Sequence, residues 1–453
     1  MKIIIVGSGK VGFTLAENLA AEHHDITIID TRDEAIRKAS DMLDVLCIKG
    51  NGASIRVLRS AGVEKCDVFI AATSRDELNM ISCLTAKKLG AKYTIARIRD
   101  YEYAVEISQL KKEMEIDMVI NPEFATASQI SRLLRFPNAL DIDTFYRGRI
   151  ELIGFRACCK DVITGQPLSS VRRHLLGAEV LFCAVEHNGK TIIPDGSTVI
   201  EEGDKVYVIG DSLNVSRFFK ALGRITVKIK NAFIIGGGRI GMYLASSLIA
   251  MNMDVKIIEM DHKKCVELTE RLPKALVVQG DGTDQELLAS ENIAHSGAFI
   301  ALTDRDEDNL IMSLYAKQLG VPKVIVKINR QNYYGISSSL SIDSIISPKT
   351  ITAFAILKNV RAMQNSQGSR MEALFRIAEG SVEAMEFTVS ARTRNLGIPL
   401  RDLKLKKGIL LAVIVRKGQF IIPEGGDHIE DGDNIIIIAK GLPILDINDI
   451  YLV

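Results

Sequence analysis

Two stretches of this 453-residue chain are near copies, and they limit what it can fold into. Residues 2–12 read KIIIVGSGKVG, and residues 232–242 read AFIIGGGRIGM. Gly236 stands 229 positions after Gly7 (236 − 7), and Glu259 the same distance after Asp30 (259 − 30). Further on, FIAATSRDELNM (69–80) returns as FIALTDRDEDNL (299–310), with the offset slipped by one residue. The match continues through TIIPDGSTVIEEGDKVYVIG (191–210) and FIIPEGGDHIEDGDNIIIIA (420–439). A repeat of this length is far longer than a solenoid period, so the chain reads as two copies of a two-part unit.

Each copy opens with a short apolar strand, a glycine turn and an amphipathic helix, the context that a dinucleotide fingerprint requires. In the first, Gly7 permits the tight turn, Gly9 lets a pyrophosphate approach the backbone, and Gly12 lets the helix pack close on the strand. Amides of Ser8, Lys10 and Val11 at the helix start, with the positive end of its dipole, suit phosphates. A second strand ends in Asp30, where a ribose-binding acid should stand. Such an acid accepts hydrogen bonds from an adenosine ribose and repels a 2′-phosphate, which favours NAD(H) or adenine nucleotides over NADP. A helix N-cap is the alternative role for Asp30. The second copy offers Gly236, Gly237, Gly238, Arg239, Ile240 and Gly241, with Glu259 as its acid.

Composition is that of an ordinary globular protein, 47% apolar and 25% charged. With 57 Lys and Arg against 56 Asp and Glu, bulk charge proposes no nucleic-acid or lipid partner. The seven cysteines form no CxxC, which favours free thiols over a disulfide framework or zinc site. Cys158-Cys159 falls in an expected strand, so one sulfur should be core and the other exposed. No apolar stretch reaches the eighteen or so residues of a membrane span, and no signal peptide is read at the start. The expectation is a cytoplasmic chain with no direct membrane insertion.

Taken in order, residues 1–120 alternate strands (2–6, 25–29, 45–48, 67–71, 93–97, 117–120) with helices (11–22, 32–41, 53–61, 77–90, 101–114). That alternation means a Rossmann-like, doubly wound parallel sheet covered on both faces. Residues 121–140 form a helix and linker, and 141–224 a small β-rich α+β domain. Residues 230–347, 348–370 and 371–453 repeat the series. The helices after Pro122 and Pro348 carry apolar stripes, read as bridging between domains. Each β-rich unit, at roughly 80 residues, has a thin core, which makes dimerisation plausible.

Ligands in such sheets bind beyond the strand C-termini at the switch point. Besides the loops and acids, Thr73-Ser74 and Arg97 lie there, and Thr303 repeats Thr73. Thr73 and Ser74 bring hydroxyls to a ligand or cap the next helix. Arg97, inside an apolar strand, needs a partner, either a ligand phosphate or Asp76 or Glu77. Gly50-Asn51-Gly52 and Gly280-Asp281-Gly282 read as tight turns first and ligand contacts second. Asn79 and Asn309 bond the glycine loop or their own backbone. None of the seven histidines (His23, His24, His174, His187, His262, His295, His428) stands at nucleophile-like or metal-ligand spacing, and all are read as surface or capping residues. A nucleotide site without catalytic residues suggests a sensor, whose ligand shifts domains that a partner reads.

These motifs give the chain a resemblance to the TrkA family, peripheral regulatory subunits of Trk-type potassium uptake systems built from tandem KTN/RCK pairs. They include IIIVGSGKVG…IIDTR, FIAATSRDELNM and ARIR in the first half, and FIIGGGRIG…IIEMD and ALTDRDEDNL in the second. The β-rich units match as LSSVRR…IIPDG…EEGDKVYVIG and its partner. The resemblance implies RCK C-terminal-like domains after each Rossmann unit. It implies a homo-oligomeric ring, typically a tetramer, peripheral on the inner face of the plasma membrane beneath a potassium-conducting Trk subunit. It implies gating by NAD(H) and by ATP or ADP. Carried over residue by residue, the ligand sites are Gly7–Val11, Asp30, Thr73, Ser74 and Arg97, and Gly236–Ile240, Glu259 and Thr303. The halves differ where Ser74 becomes Asp304 and Arg97 becomes Lys327. An added carboxylate and the loss of a bidentate cation should weaken the hold on a polyphosphate, so ATP should favour the first site. The other readings are an NAD-dependent oxidoreductase, for which no acid–base group is found, and a similar regulator of another ion channel or antiporter.

Overall fold

A computed structural model describes residues 1–171, 175, 177–224, 228–330, 333, 342–364, 369–442 and 444–452. His174 and most of the second linker lie outside the described residues.

The first Rossmann sheet has six parallel strands: β1 (Lys2–Val6), β2 (Asp25–Asp30), β3 (Leu46–Lys49), β4 (Val68–Ala71), β5 (Tyr93–Arg97) and β6 (Met118–Ile120). Their order is β3-β2-β1-β4-β5-β6. The chain runs outward from β1 to β3, then returns to β4 on the other side, so the switch point lies between β1 and β4. Helices cover both faces, which is why Ile3–Val6 and Val68–Ala71 are apolar at every position and buried. The helix expected over 101–114 forms as two, Tyr101–Val105 and Ile107–Glu113, broken at Glu106.

The first antiparallel sheet contains β7 (Asp141–Phe145), β8 (Ile150–Arg156), β9 (Leu181–His187), β10 (Lys190–Ile192) and β11 (Lys205–Asp211), ordered β10-β9-β11-β8-β7. The second Rossmann sheet is β12 (Asn231–Ile235), β13 (Asp254–Glu259), β14 (Leu276–Gln279), β15 (Ala298–Ala301), β16 (Lys323–Lys327) and β17 (Ser344–Ile346). Its order, β14-β13-β12-β15-β16-β17, repeats the first. The last sheet is β18 (Arg370–Ile377), β19 (Val382–Thr388), β20 (Ile409–Arg416), β21 (Gln419–Ile421) and β22 (Asn434–Lys440), ordered β18-β19-β22-β20-β21. The α/β class expected from the sequence is therefore the one observed.

Contacts gather these four sheets into two compact units, Met1–Ser131 with Lys230–Val360, and Arg132–Ile229 with Arg361–Val453. Each unit draws on both halves. The division falls inside the helices Pro122–Arg135 and Pro348–Gln364.

In the second unit the two antiparallel sheets share one core, in which Phe145, Ile150 and Tyr207 join Ile377, Val382, Ala412 and Val415. Phe145 meets Phe375 edge-on with ring centres 5.0 Å apart. Tyr207 Oη accepts from the Ala378 amide at 2.9 Å, and Lys440 Nζ donates to the Thr191 carbonyl at 2.6 Å. The thin core of each small sheet is thus closed by its own copy within the chain. Cys158 and Cys159 do not split between core and surface. They lie beyond the end of β8, where strand alternation no longer applies, and both are exposed. Cys66, Cys83 and Cys183 are buried free thiols, and burial pushes Cys66 up to about 12.

The two small sheets differ at one charged knot. Asp433 is held by Arg416 through Nε at 3.0 Å and Nη2 at 2.8 Å. At the matching position in the first copy, His187 Nδ1 lies 2.6 Å from Asp204, with Glu201 3.7 Å from its other nitrogen. The Asp204 hydrogen bond, then the charges of Asp204 and Glu201, push the imidazole above its ordinary value. A raised folded value means the knot's stabilisation is complete below the unfolded value of about 6.5. It is lost as pH rises through the raised value. We expect nuclear magnetic resonance to place the His187 titration above that of a free histidine. Asp204→Asn should bring it down, and His187→Arg should make the chain's melting less sensitive to rising pH.

Candidate functional site

Close contact dictates where glycine stands in both loops. Gly7 has φ +97°, and a Cβ there would lie 3.0 Å from the Thr73 backbone. A Cβ on Gly12 would sit 1.8 Å from the Gly7 carbonyl oxygen, so this glycine lets the helix Lys10–Ala21 close on its own loop before it meets the strand. Gly236 (φ +99°) and Gly241 repeat both contacts. Gly9 and Gly238 have no atom within 4 Å of a built Cβ, leaving that approach open. Gly52 and Gly282 do not have positive φ; their missing Cβ makes room for Val6 and Ile235 at the ends of β1 and β12.

The acids tie the glycine loops to the neighbouring strands. Asp30 Oδ2 accepts from the Ser8 amide at 2.7 Å, and Glu259 Oε2 from the Gly237 amide at 2.8 Å. Asp30 also takes the Arg32 amide at 2.9 Å and the Arg32 guanidinium through Nε and Nη2, each at 3.2 Å. Burial raises the Asp30 carboxyl, but Arg32 and the two amides outweigh it and hold the group below its usual value. Asp30 caps no helix: Arg32 is the N-cap residue of Asp33–Met42.

Asn79, fully buried, accepts from the Thr73 amide and hydroxyl at 2.9 and 2.7 Å. It donates to the carbonyls of Thr73 (3.3 Å) and Arg97 (2.8 Å). Asn309 does the same for Thr303 and Lys327. These asparagines therefore bind neither the glycine loop nor their own helix start; they fasten the end of β4 to the end of β5, and β15 to β16. Neither Thr73 nor Ser74 caps the helix Asp76–Lys88, whose N-cap is Arg75.

Arg97 pairs with neither Asp76 nor Glu77. Asp76 is taken by Arg99, through its amide at 2.7 Å and its Nε at 3.3 Å. Arg97 Nη2 instead meets Glu123 Oε1 at 3.2 Å, at the start of the helix Pro122–Arg135. Burial depresses the Arg97 guanidinium, against the pull of Glu123. Arg97 Nε, Glu123 Oε2 and the Ser8 hydroxyl are buried with no hydrogen-bond partner. In the second half Lys327 Nζ meets Asp304 Oδ1 at 3.0 Å, and Lys349 stands where the first half has Glu123. Lys327 first, then Lys10 and Lys264, hold the Asp304 carboxyl below its ordinary value.

The two switch points open into one cavity of about 1230 Å³. Gly7, Gly9, Lys10, Val11, Asp30, Thr73, Ser74 and Arg97 line it from the first half. Gly236, Gly238, Arg239, Ile240, Gly241, Glu259 and Thr303 line it from the second. Ser8, Gly12 and Gly237, also expected from the sequence, do not line it; Ser8 lines an adjoining cavity of about 620 Å³. Sequence reasoning missed Arg32, Arg75, Arg99, Glu123, Lys264, Arg305 and Lys349, which line it too. Of these, Glu123 and Lys349 carried a signal, an opposite charge after the matching prolines Pro122 and Pro348, and so did Arg32, which faces Asp261 across the repeat. The halves also meet through Tyr243, whose hydroxyl accepts from Asn121 Nδ2 at 3.0 Å and donates to the Arg99 carbonyl at 3.2 Å. Phe124 lies edge-on to its ring. Thr14 occupies that place in the first helix, so this contact has no duplicate.

Fold and cavity define a duplicated Rossmann protein, each parallel sheet followed in sequence by a small antiparallel one. The sequence matches the TrkA-N domain over residues 3–122 and 232–348, and the TrkA-C domain over 162–223 and 384–442. A Trk system potassium uptake protein TrkA homolog of Methanosarcina mazei is 34% identical, with 97% of each chain covered. The Trk system potassium uptake protein TrkA of Halomonas elongata is 35% identical over 97% of this chain and 96% of that one. The RCK domain of GsuK superposes with a TM-score of 0.64 at 18% identity, covering 97% of this chain and 92% of that chain. The chain belongs to the TrkA family, whose full-length relatives carry the name of potassium uptake proteins. No described helix is long and apolar enough to cross a membrane.

Replacing Asn79 by Ala should cost about 2–4 kcal/mol in urea unfolding, because the fully buried asparagine bonds the Thr73 amide, hydroxyl and carbonyl and the Arg97 carbonyl, and all four contacts go together. Asn309→Ala should cost a similar amount.

Proposed function

We propose that this chain is the nucleotide-sensing regulatory subunit of a Trk-type potassium uptake system. The observation that carries the reading is the single cavity lined by both glycine loops and both acids. A ligand held at either loop reaches residues of the other half, so its occupancy biases how the two halves sit together. The full-length TrkA relatives supply the potassium context, and one GsuK channel structure of the same fold is described as bound to NAD.

The residues suit an adenosine nucleotide. Gly9 and Gly238 leave the loops open to phosphates, Asp30 and Glu259 stand at the ribose positions, and Arg97 and Ser8 retain unpartnered buried polar atoms. NAD(H), ATP and ADP all present such phosphates and ribose. Bound NAD(H) would supply a nicotinamide as well, and none of the described histidines lines the cavity to act on it. The family reading extends to a homo-oligomeric ring, a tetramer, peripheral beneath a membrane potassium-conducting subunit.

The halves divide the ligands by charge. Arg97 keeps an unpaired Nε for a phosphate, while Lys327 is spent on Asp304. ATP therefore favours the first crevice and a less charged dinucleotide the second.

Potassium flux through the reconstituted subunit pair should change on adding ATP, ADP or NADH; indifference to all three would end the reading. Asp304→Ser in the full chain should strengthen ATP binding at the second crevice by roughly tenfold, about 1.4 kcal/mol, in calorimetric titration.

A further inference from the structure

The two acids are built alike and occupied differently. A carboxylate offers about four lone-pair sites. On Asp30 all four are engaged, by the Ser8 amide, the Arg32 amide and the Nε and Nη2 of Arg32. On Glu259 two described bonds are made, from the Gly237 amide at 2.8 Å and the Asp261 amide at 2.9 Å. The difference lies in one position. Arg32 follows the first acid, and Asp261 follows the second at the matching place. Asp261 turns its carboxylate to its own helix, accepting from the amides of Lys263 and Lys264.

A ribose diol can therefore bind Glu259 directly, but it reaches Asp30 only by taking the place of the Arg32 guanidinium. That guanidinium can leave: its side chain is 63% exposed, while Asp30 beneath it is 7% exposed. Once displaced, it remains tethered two residues from the acid, beside the edge of the ribose that carries the 2′-oxygen. A planar, permanently charged fork there matches a phosphate, and an arginine near this acid is the arrangement that accommodates a 2′-phosphate in dinucleotide folds.

Resting on the adenosine-nucleotide reading of the cavity, we propose that Arg32 is the specificity-determining residue of the first crevice, admitting 2′-phosphorylated adenosine ligands of the NADP(H) class, which Asp261 bars from the second. Arg32 acts twice. It competes with an unphosphorylated ribose for Asp30, and it pairs with a 2′-phosphate when one is present. The expectation from Asp30 alone, NAD(H) over NADP, then holds for the second crevice and is reversed at the first.

The test is calorimetric titration of the full chain with NADH and with NADPH. Wild-type protein should take NADPH at one site per chain. Arg32→Ala should weaken NADPH by about tenfold or more and tighten NADH at the same crevice, because a competitor for Asp30 is gone. Arg32→Asp, which copies the second half, should abolish NADPH binding. Both variants should fold, since the Arg32 side chain is 63% exposed and makes no cap bond; a single cooperative melting transition, at a midpoint somewhat lowered by the lost Asp30 pair, checks this. Opposed shifts for the two ligands are an outcome that a merely structural role would not give. The proposal is overturned if wild type binds NADH and excludes NADPH, or if both variants bind NADPH as wild type does. If wild type binds no adenosine ligand at all, the reading of the cavity falls and the proposal falls with it.

Discussion

One hydrogen bond, made twice, organises the site: a backbone amide of the glycine loop donates to the acid that ends the next strand. Ser8 to Asp30 and Gly237 to Glu259 are 2.7 and 2.8 Å long. The bond sets the end of β1 against the end of β2. It needs a bare backbone at the turn, because a side chain on Gly7 or Gly12 would strike Thr73 or the loop's own carbonyl. It also needs the acid to stay ionised while partly buried, which the converging amides and Arg32 ensure for Asp30. The asparagine clamps at Asn79 and Asn309 hold the other side of each switch point with the same economy.

Duplication has preserved this frame and varied the charges around it. Arg97 with Glu123 became Lys327 with Asp304, Glu123 gave way to Lys349, and Arg32 to Asp261. Backbone geometry tolerates little change, since Gly7, Gly12 and Asn79, and their copies Gly236, Gly241 and Asn309, are in close contact. Side chains at the cavity wall meet solvent or a ligand and are free to diverge. Two crevices with one skeleton and different charges fit the proposed response to more than one anionic ligand.

The unlike fates of the two sheet types have a physical cause. Each six-stranded parallel sheet buries both faces under its own helices and is complete within its half. Each five-stranded antiparallel sheet leaves an apolar face that a small domain cannot cover, and here the copy covers it, through Phe145 on Phe375 and Tyr207 on the Ala378 amide. Most of the strands were legible from their apolar runs. β7 and β18 were not: DIDTF alternates too briefly to stand out, and RMEALFRI follows a polar stretch and reads as readily as helix. The exposed pair Cys158-Cys159 was misread because the apolar run does not show where β8 stops.

What the sequence determined by itself was local and repeated: strand and helix periods, the glycine spacing, the acids at Asp30 and Glu259, and the duplication that makes each of these readings twice. Such features are set by residues a few positions apart, so they leave a pattern along the chain. Tertiary structure alone decided which charges meet. The pairing of Arg97 with Glu123 rather than Asp76, the Tyr243 contact between halves and the merging of two crevices into one cavity join side chains whose partners no periodicity marks. A charged side chain finds the nearest carboxylate in space, and only the folded chain says which one that is.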